Sequence, residues 1–182
     1  ISRTSVVNNH AAGYIGGIDV MATTTDITNV TVSGNTSGGG GGIGISDNAN
    51  VDIINSIVWN NTGTEIIHMN GSVDVTYSDI QDGYTGVGNI DANPLFVDAD
   101  NDDYTLQAPD SPCINAGTGD LNGDGTEDIT DYSGSAPDMG AFESNLAAPT
   151  GFQYYLQSES VMLWWNPSTD ENFQYFLLER ST

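Results

Sequence analysis

The feature that most restricts what this chain can become is an internal repeat. Ile1-Ser-Arg-Thr-Ser-Val6-Val-Asn-Asn9, Ile27-Thr-Asn-Val-Thr-Val32-Ser-Gly-Asn35 and Ile53-Ile-Asn-Ser-Ile-Val58-Trp-Asn-Asn61 align at intervals of 26 residues, with apolar and asparagine positions in register. A shorter fourth copy, Val75-Thr-Tyr-Ser-Asp-Ile80, follows 22 residues after Ile53. The triplets Thr25-Asp-Ile27, Val51-Asp-Ile53 and Val73-Asp-Val75 fall into the same alignment. A period in this range is one small unit used repeatedly. Such a unit cannot bury its own apolar face and must stack on its copies.

Within each unit the apolar runs are short, as in Gly17-Ile-Asp-Val20, Gly42-Ile-Gly-Ile45 and Ile66-Ile67, and Gly, Asn, Ser and Thr separate them. Runs of this length bounded by turn residues predict strands rather than helices. The expected fold is all-β, with residues 1–82 forming successive coils of a parallel β-helix. In this pattern the first half of the chain resembles the right-handed parallel β-helices of the pectate-lyase-like superfamily. The expected interior stacks are Ile27, Ile53 and Val75, and Val32, Val58 and Ile80.

Two ladders follow from the register. Asn9, Asn35 and Asn61 are expected to stack at one bend, where asparagine tolerates a left-handed backbone and its amide can bond the neighbouring coil. Asp26, Asp52 and Asp74 are expected on the outside of a strand, at a coil spacing of about 4.8 Å. Like charges so placed repel. They form either a candidate groove for cations or sugars or a solvated acidic face. Carboxylates two coils apart, at about 9.6 Å, stand near the separation used by inverting glycosidases. Lyases of the superfamily typically abstract a proton with a basic residue, and these coils contain only Arg3. No catalytic residue is therefore assigned. His10 and His68 occupy non-equivalent coil positions and read as surface or bend residues, and the Asn-x-Thr/Ser sequences at Asn29, Asn35, Asn60 and Asn70 read as bend chemistry.

Charge narrows the partners. The chain carries 25 acidic side chains against Arg3 and Arg180, a formal net charge of −23. It cannot neutralise a phosphate backbone or settle on an anionic membrane, which excludes nucleic acid and lipid surfaces as partners. No apolar run reaches transmembrane length. The single Cys113 permits no internal disulfide, and its neighbours predict a buried small hydrophobe rather than a nucleophile.

Beyond residue 82 the repeat stops. The phrases Asn93-Pro-Leu-Phe96, Asp103-Tyr-Thr-Leu106, Ser111-Pro-Cys-Ile-Asn-Ala-Gly117 and Asp138-Met-Gly-Ala-Phe-Glu143 follow in order. Together they resemble the C-terminal end of secreted bacterial β-helix proteins called choice-of-anchor Q domains. Residues 83–145 are therefore expected to cap the helix end, with Leu95, Phe96, Tyr104, Leu106, Cys113, Ile114, Met139 and Phe142 as apolar plugs. Within this region, counting Asp120 as position 1 places oxygen donors at Asn122, Asp124, Asp128 and Asp131, a glycine at position 6, and the Thr126 carbonyl at 7. That is calcium-loop spacing, resembling EF-hand and dockerin loops without their helices. Ca²⁺ is the expected cofactor. A second cluster, Asp98, Asp100 and Asp102, alternates carboxylates but lacks the turn glycine. Residues 74–143 hold 16 acids and no Lys or Arg, so bound cations would relieve their repulsion.

Residues 146–182 change character. Val161, Leu163 and Trp165 alternate before Asn166-Pro167, and Phe176, Leu178 and Arg180 alternate further on. With Pro149 and the terminal Phe-Leu-Leu-Glu-Arg-Ser, these resemble the first strands of a fibronectin type III domain, so a larger parent protein is expected. The resemblances imply a secreted or cell-surface bacterial protein, in which this chain is a calcium-stabilised structural or adhesive module with polysaccharide as a candidate partner. The alternative is the non-catalytic C-terminal part of a polysaccharide lyase or glycoside hydrolase.

Overall fold

The computed structural model describes residues 1–144 and the backbone of two further strands, Gln153–Gln157 and Ser160–Trp164. Alternating Ile, Val and Thr set the strands of four stacked coils. Coil one contains β1 (Ser2–Val7), β2 (His10–Ala11) and β3 (Ile18–Met21), and coil two β4 (Thr24–Ser33), β5 (Thr36–Ser37) and β6 (Ile43–Ser46). Coil three contains β7 (Asn50–Ile54), β8 (Ile57–Trp59) and β9 (Ile66–His68), and coil four β10 (Ser72–Thr76) and β11 (Asp79–Ile80). Every pairing between coils is parallel, and the sheets stack into a β-solenoid.

The register is the one the repeat requires. Ile27 pairs with Ile53 and Ile53 with Val75, while Val32 pairs with Val58 and Val58 with Ile80. All six are buried in one core column system with Val30, Ile43, Ile45 and Val51. The glycine run lets the coils close on one another. A Cβ on Gly41 would meet the Asn35 carbonyl oxygen at 2.0 Å, and one on Gly42 the Glu65 carbonyl oxygen at 2.0 Å.

One corner breaks the two-residue alternation along the largest sheet. Arg3, Asn29, Asn55 and Tyr77, equivalent in successive coils, all have left-handed backbones, with φ of 45°, 52°, 52° and 48°. The kink explains why the inward residues run Ile27, Val30, Val32 instead of keeping a strict period of two. It also detaches an N–H from the strand ladder, and serine side chains accept it. Val30 N donates to Ser56 Oγ at 3.2 Å and Ser56 N to Ser78 Oγ at 3.0 Å, and Ser78 N ends the series on Asn89 Oδ1 at 3.0 Å.

The Asn9, Asn35 and Asn61 ladder forms, one residue away from the left-handed position. The left-handed residues are Asn8, Gly34, Asn60 and Asp82, whereas Asn9, Asn35 and Asn61 face the next coil. Asn9 N donates to Asn35 Oδ1 and Asn35 N to Asn61 Oδ1, each at 3.0 Å. Buried Glu65 terminates the ladder, accepting Asn61 N at 3.0 Å and Asn61 Nδ2 at 2.5 Å. Burial raises its pKa, opposed by these two bonds.

The region after residue 82 does more than close one end. Residues 84–92 lie over coil four, with Tyr77 N donating to Val87 O and Ile80 N to Ile90 O. The chain then returns along the outside of the solenoid through β12 (Phe96–Asp98), a 3-10 turn at Ala99–Asn101, and β13 (Asp103–Leu106), antiparallel to β12. Leu106, Cys113 and Met139 are buried against Ile57, an outward-facing residue, in a second cluster bordered by Trp59, Tyr77, Ile90 and Phe96. Most of the predicted plugs therefore seal a side wall, while Phe142 remains exposed. β14 (Gln153–Gln157) and β15 (Ser160–Trp164) form an antiparallel pair. β15 contains the alternation at Val161 and Leu163, and the expected strand at Phe176–Arg180 lies outside the described residues.

Candidate functional site

The acidic ladder forms as the repeat requires. Asp26 pairs with Asp52 and Asp52 with Asp74 on an exposed strip, flanked by Thr24, Asn50 and Ser72 on one side and Thr28, Ile54 and Thr76 on the other. The Asp52 carboxyl is pushed up, first by partial desolvation and then by the charges of Asp26 and Asp74 on either side. A strip of carboxylates among hydroxyls and an amide can bind cations or sugar hydroxyls.

The loop at Asp120 is closed by its own side chains. Asp120 Oδ1 accepts Gly123 N at 2.8 Å and Asp124 N at 3.2 Å, and Asp120 Oδ2 accepts Gly125 N at 2.8 Å. Asn122 Oδ1 accepts Asp124 N, Asp124 Oδ1 accepts Thr126 N, and Asp128 Oδ2 accepts Leu121 N. Gly123 and Gly125 supply the left-handed turns, at φ of 73° and 86°. The amide bonds, led by that from Gly125, hold the Asp120 carboxyl below the usual range. Asp131 points away, its two oxygens receiving Arg3 at 2.6 and 2.5 Å, and this contact lowers its pKa. Asp120, Asn122, Asp124 and Asp128 are thus gathered in one loop and Asp131 is not. Among the described residues no group of three or more acidic, histidine or cysteine side chains is arranged to hold a metal ion.

Asp98, Asp100 and Asp102 surround the 3-10 turn without converging. Asp98 Oδ2 accepts Asn101 Nδ2 at 2.8 Å, and Asp102, left-handed at φ 64°, accepts Asn8 Nδ2 of coil one at 2.6 Å. His10 and His68 are exposed, and His10 Nδ1 contacts Thr36 Oγ1 at 2.8 Å.

Two features carry no signal in the repeat. The first is a buried thiol and acid. Asp79, on the outward side of coil four, is fully covered by the returning chain, accepting Ala92 N at 3.1 Å and the Cys113 thiol at 3.2 Å. Burial pushes its carboxyl up to about 6 and pushes the Cys113 thiol up as well, which leaves the cysteine inert as a nucleophile.

The second is a cleft of about 330 Å³ between the solenoid wall and β12–β13. Trp59, Phe96 and Tyr104 form its apolar lining, with the Phe96 and Tyr104 rings edge-to-face at 5.1 Å. Asn8, Asn60, Asn93, Gln107 and Asp100 form an exposed polar rim. Trp59, a half-buried aromatic at the end of β8 next to Asn60 and Asn61, is the residue from which the cleft could have been found.

No helix among the described residues is long and apolar enough to cross a membrane. Comparison with protein families, curated proteins and solved structures finds no match for this chain.

Proposed function

We propose that this chain is a structural module of a secreted or cell-surface multidomain bacterial protein, a rigid, calcium-stabilised β-solenoid that spaces neighbouring domains and faces polysaccharide. The observation that carries the reading is the lacing of the returning segment to all four coils. Coil one is held by Arg3 to Asp131 and Asn8 to Asp102, and coil two by Asn29 to the Asp138 carbonyl and by the Ala141 amide to Thr31. Coil three is held by Asn55, which both donates to the Thr118 carbonyl and accepts the Thr118 amide, and coil four by Asp79 to Cys113. A solenoid stabilised only between neighbours can fray coil by coil; one braced along its length behaves as a unit.

Single-molecule extension of the chain between terminal handles tests this. One cooperative high-force step is expected for residues 1–144, and coils peeling away one by one at low force would contradict it. The antiparallel pair β14–β15 is compatible with a fibronectin type III-like domain opening at 146–182.

Calcium enters the proposal through Asp120, Asn122, Asp124, Asp128 and the Thr126 carbonyl. Oxygen donors of this kind around a glycine turn suit a hard cation. Each of these oxygens keeps lone pairs beyond those that accept the loop amides, whereas a sixth ligand from Asp131 requires release of Arg3. A second reading, the non-catalytic C-terminal part of a polysaccharide lyase or glycoside hydrolase, rests on the parallel coils and their resemblance to pectate-lyase-like β-helices, and gives Asp26, Asp52 and Asp74 no catalytic role. Release of reducing or unsaturated sugar ends by this chain alone would overturn the structural reading in favour of an enzyme.

A further inference from the structure

We propose that the cleft between the solenoid wall and β12–β13 binds an uncharged saccharide, one or two sugar rings of a neutral polysaccharide seated on Trp59. The inference rests on the polysaccharide part of the proposed function and assigns it a place, away from the acidic ladder.

The chemistry of the lining selects the class. Trp59, Phe96 and Tyr104, which line the cleft together, offer an apolar surface of the kind on which the C–H face of a pyranose packs, while the ring hydroxyls project toward the edge. At that edge stand four primary amides, Asn8, Asn60, Asn93 and Gln107, and the Asp100 carboxylate. A primary amide presents a donor and an acceptor side by side, matching neighbouring sugar hydroxyls that each donate and accept. A cation would need acceptors only, so a rim dominated by amides is poorly suited to one. The cleft volume, about 330 Å³, lies within the range of small-molecule sites and accommodates a sugar or two.

Electrostatics selects within the class. Asp98, Asp100 and Asp102 lie on the turn beside the cleft, and Arg3, the one Lys or Arg side chain among the described residues, is engaged by Asp131. A uronate or sulfated sugar brought here meets negative charge with no Lys or Arg to receive it. The cleft is also preformed. Asn8 Nδ2 donates to Asp102 Oδ1 at 2.6 Å, Gln107 Nε2 donates to Phe96 O at 2.9 Å, and Leu95 N donates to Asn93 Oδ1 at 3.1 Å. Little ordering of the site is left to be done on binding.

The test is affinity electrophoresis of the full chain through gels containing soluble neutral polysaccharides, namely β-glucan, mannan, galactan and xylan, with polygalacturonate as the acidic comparator. Retardation by at least one neutral polymer and none by polygalacturonate is expected. Trp59→Leu should weaken it tenfold or more, and Asn60→Gly, which keeps the left-handed backbone at φ 58°, several-fold. Asp100→Ala, on an exposed turn, serves if Trp59→Leu fails to fold. In two-dimensional NMR with the retarding sugar's oligomer, the Trp59 indole N–H should shift, while the amides of Asp26, Asp52 and Asp74 should not. No retardation by any neutral polymer, stronger retardation by polygalacturonate, or binding unchanged in the variants would overturn the proposal. The extension experiment is independent of sugar, so failure here leaves the rigidity of the module separately measured.

Discussion

Asp79→Asn should make the protein more stable at neutral pH and remove a defined part of its pH dependence. The carboxyl is wholly buried and titrates at about 6 in the folded chain against 3.8 when exposed. The folded state therefore holds this proton more tightly than the unfolded state. The stability tied to the neutral acid is fully present below pH 3.8, declines as pH rises through 6, and is absent at pH 7. A displacement of about two pKa units corresponds to about 3 kcal/mol. Asparagine keeps an oxygen for the Ala92 amide, but sets an NH₂ against the Cys113 sulfur, a weak acceptor. That mismatch costs about 1 kcal/mol. The variant should gain about 2 kcal/mol at pH 7 and lose about 0.5 kcal/mol at pH 4, where the unfolded acid is already partly ionised. Urea unfolding of both proteins at pH 4, 5, 6 and 7 measures the difference directly, because the other titrating groups are common to both and cancel. A difference that does not change with pH, or a variant less stable at pH 7 than at pH 4 relative to the parent, would refute the reasoning.

Other perturbations follow from the same geometry. Val58→Asp places an unpaired charge in a fully buried column and should abolish folding, whereas Asp52→Leu, which relieves repulsion on an exposed strip, should leave the melting temperature unchanged or higher; circular dichroism on the pair checks both. Asn35→Ala removes the acceptor of Asn9 N and the donor to Val6 O in the middle of the asparagine ladder, and should cost about 3 kcal/mol in denaturant unfolding. If calcium occupies the Asp120 loop, excess chelator should lower the melting temperature and Asp124→Ala should remove most of that response; a site filled at 100 times its dissociation constant contributes about 2.7 kcal/mol.

The coils are legible in the sequence because their information is periodic. Ile27, Ile53 and Val75 repeat the same environment, so register and inward direction follow from alignment. The corner chemistry is legible only to within a residue. Asn8 and Asn9 both suit a bend, and it is the backbone, not the residue type, that decides which one turns left-handed and which reaches the next coil. Asn29 and Asn55 form a second corner because an insertion in the alternation, from Ile27 to Val30, must be absorbed by one kink. The path of residues 93–144 is written in no period. Its contacts join distant residues singly, Asn8 with Asp102 and Asn29 with the Asp138 carbonyl, so neither the covered side wall nor the cleft at Trp59 follows from spacing. Ile57 is the clearest trace of that wall: it is apolar in an outward column otherwise occupied by Ser5, Thr31 and Asp79.

Native-state hydrogen exchange measures most directly whether the returning segment fastens the four coils into one rigid unit. The amides of Val30, Ser56 and Ser78 in the coils and of Thr118, Met139 and Gly140 in the returning segment, all hydrogen-bonded, should exchange with one common opening free energy equal to that of global unfolding. Opening free energies that fall stepwise from coil to coil, or a returning segment that opens well below the coils, would contradict it.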